Sequence, residues 1–289
     1  MPTPTPHKSG QRQSGQRSVL ITGCSTGIGF CLAKGLSEAG FHIIASCRDP
    51  KDETKIKALG VDVINLDLAN SLSIRNAVKQ TMDLSQGSIY GLINNGAYGQ
   101  AGAIEDLNRD ALRAQFETNV FGTMELTNLV LPKMRAQNEG RIVQISSVLG
   151  IVCLPYRGAY NASKYALEAL TDTLRLELHD TDIKLSLIEP GPIESAFRKN
   201  SLARFYQYID PEESVHKENY RAMKARLDRN ENGRYTLPPE AVLKVVAHAL
   251  TSEKPKIRYP VTIPTKVMAP LKRLLPDKLM DKFLLASGG

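Results

Sequence analysis

Short apolar runs alternate with stretches of helical periodicity along most of this 289-residue chain, and that alternation constrains its fold more than any other feature. Val19-Leu20-Ile21 is the first run; glycines follow it, and Ile28 to Ala39 then carries apolar residues at helical spacing. His42–Ser46, Val61–Leu66, Arg141–Ile145 and Ile183–Ile188 read as further strands, and Leu92-Ile93 as the core of another. Between them lie helical stretches, including long ones over about 109–135 and 160–178, then one over 239–251 before a last strand near Ile257-Arg258-Tyr259. Strands separated by helices pair in parallel, and a parallel sheet needs covering on both faces. The expected fold is therefore α/β: one doubly wound parallel sheet with helices on both faces. Ligands in such sheets sit at the carboxyl ends of the strands, beside the reversal in strand order.

The ends of the chain differ from this middle. Residues 1–17 are polar, rich in Pro, Gly and Gln, and lack the apolar segment of a secretion signal, so they read as a disordered N-terminal tail. Residues 18–260 form the expected domain, with 196–237 as a lid over the substrate, and 261–289 as a basic, amphipathic C-terminal extension. No run of 18 or more apolar residues is present, so a spanning helix is not expected. The net charge of +7 suits an anionic ligand or a membrane surface. Basic runs interleaved with aromatics are missing, which argues against nucleic acid as a partner. The cysteines at 24, 31, 47 and 153 form no CxxC pair, and no HExxH occurs, so neither a metal nor a disulfide framework is expected. Scattered thiols suit the cytoplasm.

The first strand runs into Thr22-Gly23-Cys24-Ser25-Thr26-Gly27-Ile28-Gly29. Glycines there permit a tight turn and let backbone N–H groups reach a pyrophosphate at the following helix N-terminus. The placement makes the sheet Rossmann-type and a dinucleotide the expected ligand. A carboxylate at the tip of the second strand would favour NAD, because it accepts from the ribose 2′-OH. Here the tip is Cys47, followed by Arg48, whose guanidinium suits a 2′-phosphate, although Asp49 could neutralise it. The expected cofactor is NADP(H). Asp67 and Leu68, after the third strand, are placed to meet the adenine; an Asp67 that merely caps the next helix is the plainer alternative.

Tyr160-Asn161-Ala162-Ser163-Lys164 places a phenol and an ammonium four residues apart, on one helix face. A tyrosine with its ordinary pKa near 10 is a poor base at neutral pH, and a neighbouring cation lowers it. Ser147, at the end of the fifth strand, can hydrogen-bond the substrate oxygen; Ser146 is its rival, but alternation lets only one of the two face the cleft. Asn119, mid-helix with Gly122 three residues on, suggests a local helix distortion able to hold a relay water.

Together these pieces resemble the short-chain dehydrogenase/reductase superfamily over about 18–259: TGCSTGIG, Asp67-Leu68, Asn94-Asn95, Asn119, Ile145-Ser146-Ser147, YNASK and Pro190-Gly191-Pro192-Ile193-Glu194-Ser195. The resemblance implies that Asn119, Ser147, Tyr160 and Lys164 are the catalytic tetrad. It implies cofactor contacts for Thr22, Gly23, Ser25, Thr26, Gly27, Ile28, Gly29, Arg48, Asp67, Leu68, Asn94, Gly96, Ala97, Pro190, Gly191, Ile193 and Ser195, together with Tyr160 and Lys164. Ser25 and Arg48 look like the NADP-using retinol and 17β-hydroxysteroid branch, and CRDP, SLIEPGPI and SEKPKIRYPVT like bacterial NADP-dependent aldehyde reductases. The family's Asn-Asn-Ala-Gly reads Asn94-Asn95-Gly96-Ala97 here, and a positive φ at the exchanged position would strain Ala97. The expected reaction is hydride transfer between NADP(H) and a hydrophobic aldehyde or ketone. A nucleotide sensor without turnover and a ketoacyl-type reductase are the alternatives. Cys153, Leu154, Tyr156 and Phe197 are candidate substrate contacts. A homo-oligomer, dimer or tetramer, and peripheral membrane contact through the extension complete the expectations.

Overall fold

A computed structural model describes residues 15–228, 233 and 235–287. The N-terminal tail, apart from residues 15–17, lies outside the described residues, as do parts of the expected lid.

Seven strands form one sheet in the order β3-β2-β1-β4-β5-β6-β7, every pair parallel. They are β1 (Ser18–Ile21), β2 (His42–Cys47), β3 (Asp62–Asn65), β4 (Gly91–Asn94), β5 (Gly140–Ile145), β6 (Ile183–Glu189) and β7 (Arg258–Pro260). The strand order reverses between β1 and β4, which pair Leu20 with Leu92. On β1, β2 and β4 every residue is buried, as a sheet covered on both faces requires.

The helices are α1 (Gly27–Glu38), α2 (Glu53–Lys57), α3 (Ser71–Leu84), α4 (Arg109–Phe116), α5 (Thr123–Gln137), α6 (Gly158–Glu177), α7 (Phe197–Tyr208), α8 (Lys217–Asp228), α9 (Glu240–Thr251), α10 (Ile263–Leu274) and α11 (Asp277–Ser287). One face of the sheet packs Val19, Ile21, Ile43 and Ile93 against Leu32 and Leu36 of α1 and Val242 and Val246 of α9. The opposite face packs Leu20, Ile44, Leu92 and Ile142 against Ile74 of α3, Leu126 and Val130 of α5, and Leu174 of α6.

The helix expected over about 109–135 is two helices joined by a π-helical turn, Glu117–Gly122. Gly122 is what allows the widened turn to lie against the loop after β3: a Cβ at this position would fall 1.8 Å from the Leu68 carbonyl oxygen. The C-terminal extension also holds together better than its prolines suggest. Pro264 opens α10, where a missing N–H costs nothing, and Pro276 precedes α11. Met268, Met280 and Leu284 bury themselves with Val152, against Leu149, Ile151 and Leu154 of the segment after Ser147.

Candidate active site

Thr22 ends β1 beside the strand-order reversal and joins two loops. Its backbone N–H donates to the Ile93 carbonyl at 3.0 Å, and its Oγ1 accepts from the N–H groups of Asn95 at 2.9 Å and Gly96 at 2.7 Å. Asn95 answers by donating its amide to the carbonyls of Thr22 and Gly23 at 2.9 and 3.0 Å. Gly23 takes φ +70°, and a Cβ there would come 2.7 Å from Gly96 Cα, so the loops meet glycine against glycine. Neither Gly96 nor Ala97 takes a positive φ, so the strain expected at Ala97 is absent. A Cβ on Gly96 would instead press within 3.1 Å of Leu68 Cδ1 and 3.2 Å of Thr22 Oγ1. The exchanged order thus lets Gly96 nest under buried Leu68.

Ser25 and exposed Thr26 lead into α1, with Ile28 packed on the core and Gly29 buried in its first turn. Thr26 caps α1 in extended conformation without a side-chain bond, and no acidic residue lies in the first turn. The leading N–H groups of the helix therefore have no side-chain acceptor at the cap, which fits a phosphate. Ser195 closes over this turn: a Cβ on Gly27 would meet Ser195 Cβ at 2.9 Å. Pro190, Gly191 and Ile193 position that segment. The Pro190 carbonyl accepts from Val148 N–H at 2.8 Å, and Ile193 bridges to Leu237. Asn94 donates its amide to Thr127 Oγ1 at 2.9 Å, and it is Asn95 that ties down the glycine loop.

Arg48 stands exposed after β2. Among the described residues its guanidinium has no ion pair, and Asp49 accepts from Lys51 N–H at 3.0 Å. Asp67 accepts from Ala69 N–H at 2.9 Å, and Asn70, not Asp67, caps α3. Arg48, Asp67 and Tyr98 share a cleft of about 330 Å³.

The two serines after β5 part company. A Cβ at Gly150 would meet the Ser146 hydroxyl at 2.7 Å, and that hydroxyl lies beside Glu168. Ser147 holds a fully extended backbone and lies beside the Tyr160 phenol. Burial pushes the phenol up to about 12, and Ser147 pulls it partly back. Lys164 lies one turn on, its Nζ 5.8 Å from the Tyr160 ring and donating to the Ile145 carbonyl at 2.6 Å. Burial lowers its pKa to about 8, while Glu168 acts in the opposite direction. Phenol and ammonium are thus both buried near the carboxyl end of β5.

Asn119 sits in the π-helical turn, but its side chain is fully occupied. Its Oδ1 accepts from Tyr98 N–H at 3.2 Å, and its Nδ2 donates to the Tyr98 carbonyl at 2.9 Å and to Ser163 Oγ at 3.1 Å. The amide therefore clamps the loop after β4 to the Tyr160 helix. Gln115, one turn earlier and unnoticed in the sequence, repeats the clamp by donating to the Tyr98 carbonyl and accepting from Gln100 N–H.

Of the candidate substrate contacts, only Phe197 stands against Tyr160, its ring centroid 5.3 Å from that of the phenol. Leu154 packs under the C-terminal helices and Cys153 is exposed. Tyr156, at φ +59°, turns its ring edge-on to Tyr220 at 5.9 Å and to His216 at 5.5 Å. Leu154 and Tyr156 are thus held by the extension and the lid.

The short chain dehydrogenase family model matches residues 17–204. The chain belongs to that family. It is 44% identical over 269 residues to the uncharacterized oxidoreductase YbbO of Escherichia coli, covering 93% of this chain and 94% of the relative. A 3-ketodihydrosphingosine reductase of Bacteroides thetaiotaomicron is 33% identical, with 91% and 94% covered, and human retinol dehydrogenase 8 is 33% identical, with 89% and 85% covered. Among solved structures, a short chain dehydrogenase/reductase from Burkholderia phymatum in complex with NAD superposes at a TM-score of 0.77 and 22% identity, covering 92% of this chain and 95% of that one. The protein is an oxidoreductase of this family with a nicotinamide dinucleotide as the family's cofactor. No helix among the described residues is long and apolar enough to cross a membrane.

Proposed function

We propose that the enzyme uses NADP(H) to reduce a hydrophobic aldehyde or ketone, with Tyr160 giving the proton. One observation carries this: the Tyr160 phenol and the Lys164 ammonium are buried as neighbours, Nζ 5.8 Å from the ring centroid, with Ser147 beside the phenol. The nicotinamide supplies the hydride. Tyr160, held protonated by burial, donates to the oxygen as it gains negative charge, and Ser147 orients that oxygen. Lys164 stabilises the phenolate left behind and is placed to hold the nicotinamide ribose. Asn119 acts through position, by fixing Tyr98 and Ser163.

Arg48, free of Asp49, supports NADP(H) over NAD(H). The Phe197 ring beside Tyr160 supports an apolar substrate. Relatives named for a ketosphingoid lipid and for retinol carry the same expectation. The test is cofactor consumption over a panel of aldehydes, ketones, retinoids and long-chain keto-lipids, with kcat/KM compared for NADPH and NADH. Better kcat/KM with NADH, or binding of NADPH with no turnover across the panel, overturns this reading.

The setting proposed is cytoplasmic, as a dimer or tetramer that touches membranes at the periphery. Ile263, Val267, Leu274 and Leu279 remain exposed on α10 and α11 among Lys266, Lys272, Arg273, Lys278 and Lys282. Such a surface suits an anionic bilayer. Lys278→Glu with Lys282→Glu, both exposed, should reduce co-sedimentation with anionic vesicles; unchanged co-sedimentation ends the idea.

A further inference from the structure

The cleft that holds Arg48 contains more than the second-strand arginine. Arg204, from the lid helix α7, lines it as well, its guanidinium carbon 4.9 Å from the Tyr98 ring centroid. Arg204 is half-buried, and among the described residues its guanidinium meets no carboxylate, only the neutral amide of Gln207 at 2.8 Å. Arg113, the third arginine of the cleft, is already paired with Asp110 at 3.6 Å. Tyr98 is 9% exposed, and its hydroxyl has no hydrogen-bond partner among the described residues. A buried hydroxyl without a partner is costly, by about 1–3 kcal/mol in general, and proteins seldom leave one so unless something else fills the gap.

Two arginines without counter-ions and an orphaned phenol in one cleft ask for the same thing, an anion with several acceptor oxygens. Among the described residues none of the three carboxylates in the lining pairs with Arg48 or Arg204: Asp110 is taken by Arg113, Asp67 accepts from the backbone of Ala69, and Glu117 forms no ion pair. Tyr98 is also held in place, since Asn119 and Gln115 fix its backbone on both sides. The cleft therefore has one donor from the loop after β4, Tyr98, and one from α7, Arg204.

We propose that Arg204 and the Tyr98 hydroxyl, together with Arg48, form a subsite for the phosphate on the adenosine ribose of NADP(H). The inference rests on the NADP(H) reading and adds a lid residue to it. Selectivity for the phosphorylated cofactor then resides partly in α7.

The test needs no turnover. Binding of 2′,5′-ADP and of ADP is measured by calorimetry on the full chain and on Arg204→Gln, Tyr98→Phe and Arg48→Gln, with circular dichroism to confirm folding. Wild type should prefer 2′,5′-ADP. Arg204→Gln and Tyr98→Phe should each weaken 2′,5′-ADP by about tenfold or more, both leaving ADP unchanged, as loss of a hydrogen bond to a charged group requires. Arg204→Lys, which keeps the charge, should recover part of the loss. If Arg204→Gln weakens both nucleotides equally, or neither, the subsite is wrong although the NADP(H) reading stands through Arg48→Gln. If wild type does not distinguish the two nucleotides, both readings fall.

Discussion

The two walls of the active-site cleft are held by different forces. The sheet wall is a set of buried backbone clamps: Thr22 Oγ1 on Asn95 and Gly96, Asn119 on Tyr98, and Lys164 on Ile145. The lid wall is held by aromatic edges, such as Phe205 on Tyr220 at 4.8 Å, and by a few partly exposed polar contacts. Asp106 accepts from Ser214 at 2.6 Å and from Tyr220, and Glu105 meets His216 Nε2 at 2.6 Å at the surface. Burial opposes ionisation of Asp106, but the hydrogen bonds from Ser214 and Tyr220 prevail and hold its pKa below the ordinary value. The difference assigns roles. On the proposed function, a proton-transfer geometry needs sub-ångström placement and is built on strand ends, whereas the part that would admit an apolar substrate is drawn from the looser side.

Three substitutions probe that contrast. The largest effect belongs to the sheet wall: Tyr160→Phe should lower kcat by about a thousandfold while cofactor Kd, read by fluorescence, stays within about twofold. A kcat within tenfold of wild type would remove Tyr160 from the chemistry. Next is Gly122→Ala, where a methyl would collide with the Leu68 carbonyl and force the π-helical turn to move. It should cost about 3 kcal/mol in urea unfolding. A cost below 0.5 kcal/mol, roughly the noise of a neutral surface change, would show the wall to be more compliant than argued. The smallest effect belongs to the lid: Asp106→Asn should raise substrate KM severalfold, by about 1 kcal/mol of lost hydrogen bonding, and leave kcat near wild type. In the wild type the same latch should loosen under acid. A carboxyl with a lowered folded pKa stabilises above its unfolded value of 3.8, and that contribution fades as pH falls through the folded one. If Asp106→Asn lowers kcat as much as Tyr160→Phe does, the two walls are not distinct.

Much of the sheet wall is legible in the sequence because backbone requirements leave a residue signature. Gly23 after a short apolar strand marks a turn with positive φ, and Asn119 before Gly122 marks a helix that cannot remain regular. The strand pattern follows from burial, since β1, β2 and β4 face apolar layers on both sides. What stays hidden depends on contacts between distant segments. Nothing local tells that Asn94 faces Thr127 while Asn95 ties the glycine loop, or that Gln115 repeats the clamp of Asn119. Leu154 reads as a pocket residue until α10 and α11 are seen to cover it. The conformation of Ala97 is equally invisible, because φ there is set by how closely Gly96 approaches Gly23. The lid pairs Asp106 with Ser214 and Tyr220 across more than a hundred residues, beyond any periodicity.

Lys164 carries a consequence for the whole molecule. A cation buried against one carbonyl binds its proton less tightly folded than unfolded, with a pKa of about 8 against 10.5. Below pH 8 the full penalty of that charge weighs on folding, and it lifts progressively as the medium is made alkaline toward 10.5. The conditions that keep the ammonium charged are those in which the fold bears its electrostatic load.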